Sequence, residues 1–140
     1  TARQGSLFKK YYNGGFTESA IAGKSTNVID DECPPNFMTV IYSTYLKKHV
    51  LARCSSPAYG TNDGDIVLNL SADPTDFRGR NYYIDASPRG SQYPTLVATE
   101  GANPSFETGK SVYLYYIDAP RDDRFLWDKA DVVRRLITFD

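Results

Sequence analysis

The amino-acid sequence predicts a mainly β fold, an antiparallel β-sandwich or barrel of six to eight short strands with a short N-terminal amphipathic helix. Tyrosine, which favours strands, occurs eleven times in 140 residues. Segments dense in β-branched and aromatic residues recur along the chain, and turn-forming pairs such as Ser56-Pro57 and Asp73-Pro74 separate them. Short strands divided by such turns are typical of sandwiches and barrels.

The N-terminal helix is expected within residues 6–12. Leu7, Phe8 and Tyr11 recur there at helical spacing, and the pair of glycines that follows would end the helix. The next segment, residues 16–32, is polar and has no sustained hydrophobic period, so it is expected to be an irregular arm.

Strands are expected from Met38 onward. The predicted strands cover residues 38–45, 49–54, 65–70, 81–85, 95–99, 111–118 and 132–139, with a weaker candidate at 124–127. Two segments also fit a helix, residues 36–53 and residues 132–139, because their apolar side chains would share one helical face. If either segment is helical, the fold class becomes α+β.

Length and charge narrow the expectations further. A chain of 140 residues is the size of one ordinary domain. Sixteen basic and 17 acidic residues leave a net charge of −1, which provides no general field for attracting nucleic acid. The longest apolar run, residues 112–117, suits a strand and is too short to span a bilayer. We therefore expect a single domain over residues 1–140, with helix and arm in 1–35, a β-rich body in 36–140, no nucleic-acid partner and no membrane span.

The two cysteines, Cys33 and Cys54, bear on the compartment of the protein. An even pair fits one disulfide, which we slightly favour, and it also fits two buried thiols. A helix over residues 36–53 would hold them about 30 Å apart, so that helix and a bridge exclude each other. The start at Thr1 suggests a removed N-terminal segment. Together with the many tyrosines, beside one Met and one His, these features favour a secreted, extracellular or cell-surface protein.

One internal repeat stands out. The pentapeptide Tyr-Tyr-Ile-Asp-Ala occupies residues 82–86 and again 115–119, and each copy is followed by a proline and an arginine. Two such strand ends could bring their charged and tyrosine side chains to one rim of a sheet, where they would suit a polar ligand or a partner subunit. Alternatively, each aspartate caps the backbone amides of its own turn. The candidate binding residues are Tyr83, Asp85, Arg89, Tyr116, Asp118 and Arg121.

The chemistry of the remaining side chains assigns no catalytic residue. A single histidine, His49, and two cysteines far apart in sequence do not fit a multi-ligand zinc site, so no metal and no cofactor are expected. A pair of carboxylates drawn from Glu100, Glu107, Asp118 and Asp122 could serve glycoside hydrolysis, if their separation allowed it.

These observations favour a non-catalytic extracellular structural or adhesive subunit that assembles with other protein subunits through its tyrosine-rich sheet. The layout of a short N-terminal amphipathic helix before an antiparallel sheet resembles the soluble head of a pilin, and this likeness of layout implies a filament subunit. The alternatives are a carbohydrate- or small-ligand-binding module that uses the repeated rim, with a glycan as partner, and a small hydrolase that uses paired carboxylates.

Overall fold

The structure is a computed structural model that describes residues 9–19, 25–29, 36–55, 64–85, 90–100, 106–120 and 127–140. In these residues the chain forms ten β-strands and a short 3-10 turn at Trp127–Lys129, which confirms the mainly β fold class. The strands are β1 (Lys9–Tyr12), β2 (Gly15–Ser19), β3 (Asn36–Ser43), β4 (Lys48–Ser55), β5 (Asp65–Ser71), β6 (Tyr82–Asp85), β7 (Gly90–Ala98), β8 (Glu107–Thr108), β9 (Ser111–Ala119) and β10 (Asp131–Thr138).

The strands form three sheets, and in the described part of the chain no sheet closes into a barrel. A large sheet has the order β6-β5-β4-β3-β8, a small sheet has the order β10-β9-β7, and β1 pairs with β2. Neighbouring strands are antiparallel except β3 and β8, which are parallel. The large and small sheets pack face to face around one core, so the two larger sheets form a sandwich.

Alternating residues of both sheets build this core. On β9 the side chains of Val112, Leu114 and Tyr116 point inward and are buried, while their sequence neighbours are partly exposed. The large sheet contributes apolar side chains from its three central strands. The buried core residues are Ile41, Val50, Ala52, Cys54, Ile66, Leu68, Leu96, Val112, Leu114, Tyr116 and Phe139.

The predicted N-terminal helix is wrong. Lys9–Tyr12 is strand β1, which pairs with β2 through a tight turn at Asn13 and Gly14, where φ is +47° and +91°. Asn-Gly is a strong signal for a two-residue hairpin turn, and the same residues also resemble a helix stop. Residues 6–8 lie outside the described part of the chain. The pilin-like layout loses the helix on which it depended.

Both helical alternatives are also wrong. Residues 36–53 form the antiparallel hairpin of β3 and β4, in which Tyr42 lies opposite His49, and residues 131–138 form β10, which pairs with β9 along its whole length. The β-branched and aromatic residues of both segments gain more by pairing within a sheet than by forming a helical stripe. The fold class therefore stays mainly β.

A buried arginine supports the outer face of the large sheet. Arg53 of β4 is fully buried, and its Nε donates a hydrogen bond to Oδ1 of Asn69, 2.9 Å away. Its Nη2 donates to Oδ1 of Asn81 over 3.1 Å, and Nδ2 of Asn69 donates to the same oxygen over 2.7 Å. Beside this network, Leu51 and Phe77 form a second small apolar cluster with Ile29.

No helix within the described residues is long and apolar enough to cross a membrane.

Candidate functional site

The two copies of the repeat lie in different sheets and present opposite faces to the core. The first copy forms β6 at one edge of the large sheet, where Tyr83 is 59% exposed and Ile84 packs against the core. The second copy forms β9 at the centre of the small sheet, where Tyr116 is only 2% exposed. Because side chains alternate along a strand, the two copies differ by one residue in which face points inward. Tyr83 is accessible to a ligand, whereas Tyr116 is a core residue.

The two repeated aspartates nevertheless lie at the same end of the sandwich. Asp85 is the register partner of Ile66, which also pairs with Cys54. The Cys54 thiol donates a hydrogen bond to the carbonyl of Ser91, and Ser91 is the register partner of Asp118. The two strand ends therefore belong to different sheets, and their meeting at one rim stays a prediction.

Other parts of the predicted rim stay a prediction. Ser91 Oγ lies 3.5 Å from Oδ1 of Asp118, so this carboxylate faces the start of β7. Arg89 and Arg121 lie outside the described residues, as does the side chain of Asp85. Of the charged residues predicted from the repeat, Asp118 is thus the one whose side chain the structure describes.

Cys54 is a buried thiol at this same end. It is a free cysteine in the structure, and Cys33 lies outside the described residues, so the disulfide stays a prediction. Burial, followed by the negative charge of Asp65, raises the pKa of Cys54 to about 12, and Arg53 acts in the opposite direction. Gly64 is needed beside it, because a Cβ at that position would collide with the Cys54 sulfur and lie 2.8 Å from the Ser91 carbonyl oxygen.

We expect Cys54 to resist alkylation in the folded protein. Only the thiolate is nucleophilic, and its fraction at pH 8 is very small when the pKa is about 12. Because the folded pKa lies above the ordinary value of 9.0, the contribution of the neutral thiol to stability is present below pH 9 and is lost as the pH rises toward 12. Iodoacetamide labelling at pH 8, followed by peptide mass spectrometry, checks this.

Labelling of the unfolded chain is the control for labelling of the folded protein. In denaturant without reductant, labelling of both Cys33 and Cys54 would exclude the predicted bridge, and protection of both would establish it. Rapid labelling of Cys54 in the native protein would contradict its burial.

The candidate carboxylate pairs are constrained by the length of β9. Glu100 lies near the start of this strand, where its Oε1 accepts a hydrogen bond from the Lys110 amide over 3.2 Å. Asp118 lies at the far end of the strand, about 24 Å from Ser111 at roughly 3.4 Å per residue. The catalytic carboxylates of glycosidases are separated by less than about 10 Å, so Asp118 does not pair with Glu100. Asp122 lies outside the described residues.

The outer face of the small sheet is an exposed surface with many apolar groups, here called the outer patch. One row across the sheet consists of Leu136, Tyr113 and Val97, in register. Leu136 is 58% exposed and Val97 40%, and Val132 at the start of β10 is 76% exposed. The outer patch comprises Val97, Tyr113, Tyr115, Ile117, Val132, Arg134 and Leu136.

An arginine is built into the outer patch. The guanidinium of Arg134 lies over the ring of Tyr113, 5.2 Å from its centroid, and the rings of Tyr113 and Tyr115 are 6.4 Å apart. Tyrosine and arginine are enriched at protein interfaces, where they supply contact area and hydrogen bonds together. The composition of the outer patch is therefore that of an interface.

Sequence reasoning did not single out the outer patch, although a signal was present. The run 112–117 is apolar or aromatic at every position, so both faces of its strand are apolar. Such a run predicts a strand covered on both sides. One of its faces is the core, and the other is the outer patch.

A cleft lies on the large sheet, next to β8. It has a volume of about 390 Å³ and is lined by Val40, Ile41, Tyr42, His49, Phe106 and Glu107. The rings of Tyr42 and His49 are 5.1 Å apart. Aromatic faces beside a carboxylate suit a polar ring compound such as a sugar.

Among the described residues, no group of three or more His, Cys, Asp or Glu side chains could hold a metal ion. No protein-family model, no curated protein and no solved structure matches this chain.

Proposed function

We propose that this protein is a structural or adhesive subunit that acts outside the cell or at its surface and assembles with copies of itself through the outer patch. The observation that carries the proposal is the exposure of Val132 and Leu136, at 76% and 58%, on a face that also presents Tyr113 and Tyr115. Large exposed apolar patches on a folded domain mark interaction sites.

The magnitude of the burial supports assembly as the role of this face. Covering a valine or leucine side chain contributes about 1.5–3 kcal/mol. Val132, Leu136 and Val97 together would therefore supply several kcal/mol to an interface, before the tyrosines are considered. A face of this kind left open to water is costly for solubility, which favours a covered state.

Replacing Val132 and Leu136 together by lysine is expected to abolish assembly. The double variant places two charges on each copy of the outer patch, and burying an unpaired charge costs far more than the apolar contacts return. The molar mass at increasing protein concentration, from light scattering and sedimentation, is expected to fall to that of the monomer.

The matched control replaces two exposed apolar residues elsewhere, Phe16 and Val40, by lysine. Both are 42% or more exposed, and neither belongs to the outer patch. The control is expected to assemble as the wild type does. A wild-type protein that stays monomeric at millimolar concentration would overturn the proposal.

The sequence suggested the repeated rim as the site of the carbohydrate-binding alternative, and we now propose for it the cleft lined by Tyr42, Phe106 and Glu107. If the wild type is monomeric, this cleft is the next candidate, because its aromatic rings and carboxylate have the chemistry that binds sugars.

A further inference from the structure

Strand β10 is an edge of the small sheet. It pairs with β9 on one side and with no other described strand, so its second row of backbone amide and carbonyl groups faces away from the sheet. The strand has eight residues, Asp131–Thr138. A long exposed edge of this kind is a template for pairing with another strand.

On the basis of the proposed function, we propose that the edge partner is β10 of a second copy, paired antiparallel so that the two Val133 residues lie opposite each other. Such a pair would join two small sheets into one continuous six-stranded sheet. It would also join the two outer patches into one surface, which links the edge to the assembly described above.

The alternation of side chains limits the possible registers. Residues opposite each other in an antiparallel pair lie on the same face of the sheet. Val133 and Arg135 of β10 lie opposite Tyr116 and Leu114, so they belong to the inner face, whereas Arg134 belongs to the outer face. A symmetric pair must therefore match inner residues with inner residues.

Among the registers centred on a residue of β10, one alone places opposite charges of the strand itself opposite each other. Centred on Val133, the pairing places Asp131 of each copy directly opposite Arg135 of the other, which gives two equivalent attractive pairs. Shifting the centre to Arg134 places the two Arg134 side chains opposite each other, and shifting it to Arg135 does the same for that residue. Like charges directly opposite destabilise a sheet, and opposite charges stabilise it.

A charge-swap cycle tests the register. Asp131→Arg places arginine opposite arginine, and Arg135→Asp places aspartate opposite aspartate, so each single variant is expected to weaken the dimer about tenfold. The double variant D131R/R135D restores both attractive pairs and is expected to recover most of the affinity. Sedimentation equilibrium measures the dissociation constants, and circular dichroism confirms that each variant is folded.

A cysteine placed at the symmetry centre gives an independent measurement. Val133→Cys is expected to form a disulfide between two copies when copper phenanthroline is added as the oxidant. Opposed Cβ atoms lie about 4.5–5.5 Å apart, or closer in a non-hydrogen-bonded pair, so a small movement of the strands reaches the roughly 3.5–4.5 Å of a disulfide. Thr138→Cys is the matched control, since residue 138 is exposed, does not belong to the outer patch, and would lie opposite residue 128, far from residue 138 of the other copy. The wild type, which has Cys33 and Cys54, gives the background.

The outcomes separate the two proposals. A wild type that assembles, with no rescue in the double variant and no cross-link at residue 133, would overturn the β10 pairing and leave the outer patch as the assembly surface. A wild type that is monomeric at millimolar concentration would overturn both. Rescue together with the specific cross-link would establish the register.

Discussion

Replacing Arg53 by alanine is expected to lower the free energy of unfolding by about 3–5 kcal/mol, from the cavity and the lost hydrogen bonds together. The guanidinium is fully buried and donates hydrogen bonds to Oδ1 of Asn69, which is also buried, and to Oδ1 of Asn81, which is half-buried. The variant would take the charged donor from both acceptors and leave a cavity in place of the side chain. Urea denaturation followed by circular dichroism measures the loss.

Two further variants separate the charge of Arg53 from its volume. Arg53→Met is expected to cost less than the alanine variant, because the methionine side chain fills most of the volume that alanine would leave empty. The hydrogen bond between Asn69 and Asn81, 2.7 Å long, is kept in both variants. Arg78→Ala is the matched control, since Arg78 is an exposed arginine paired with Asp76 at 2.7 Å, and exposed ion pairs contribute little. Equal losses from Arg53→Ala and Arg78→Ala would show that the buried network does not stabilise the fold.

Most of the strands could be predicted from the sequence because their signals are local. Residues 65–70 and 111–118 were expected as strands and are found within β5 and β9, with bounds that differ by one residue. Each has a dense run of β-branched and aromatic residues bounded by turn formers, and that combination requires no knowledge of the partner strand. The hairpin of β1 and β2 was missed because Asn13-Gly14 signals both a helix stop and a tight β-turn.

The arrangement of the strands could not be predicted in the same way. Nothing in the pentapeptide at residues 82–86 or 115–119 states which of its faces is inward, since the five residues are identical. The inward face is set by the neighbouring strands, which are distant in sequence, and by the irregular register between β5 and β6. The burial of Arg53 is equally invisible, because an arginine in a strand is expected on the surface.

The candidate site was also predictable only where the signal is local to one stretch of sequence. The rim of Asp85 and Asp118 was predicted from identity of sequence, and the two strand ends do lie at one end of the sandwich. The outer patch was not predicted, because a strand that is apolar on both faces indicates full burial, and the sequence does not reveal whether the cover is another element of the chain or another molecule. That question is the one addressed by the assembly experiments.

The repeat itself provides the sharpest test of the fold, because the same tyrosine occurs in both copies. Tyr116→Ala is expected to lower the free energy of unfolding by about 3–5 kcal/mol, since the ring fills the core between the sheets. Tyr83→Ala is expected to cost less than about 1 kcal/mol, because this ring is 59% exposed on an edge strand. Equilibrium denaturation of the two variants under identical conditions measures the difference.

A third variant isolates the hydroxyl of Tyr116. Its oxygen accepts a hydrogen bond from Nε of Arg135 over 2.8 Å, so Tyr116→Phe is expected to cost about 1–2 kcal/mol while the core stays filled. Because Arg135 also belongs to the proposed β10 pair, this variant should weaken dimerisation as well, by loosening the side chain that faces Asp131 of the second copy. If Tyr83→Ala and Tyr116→Ala were equally destabilising, the two copies of the repeat would present the same face to the core. The finding that their inward-pointing residues differ by one position would then be wrong.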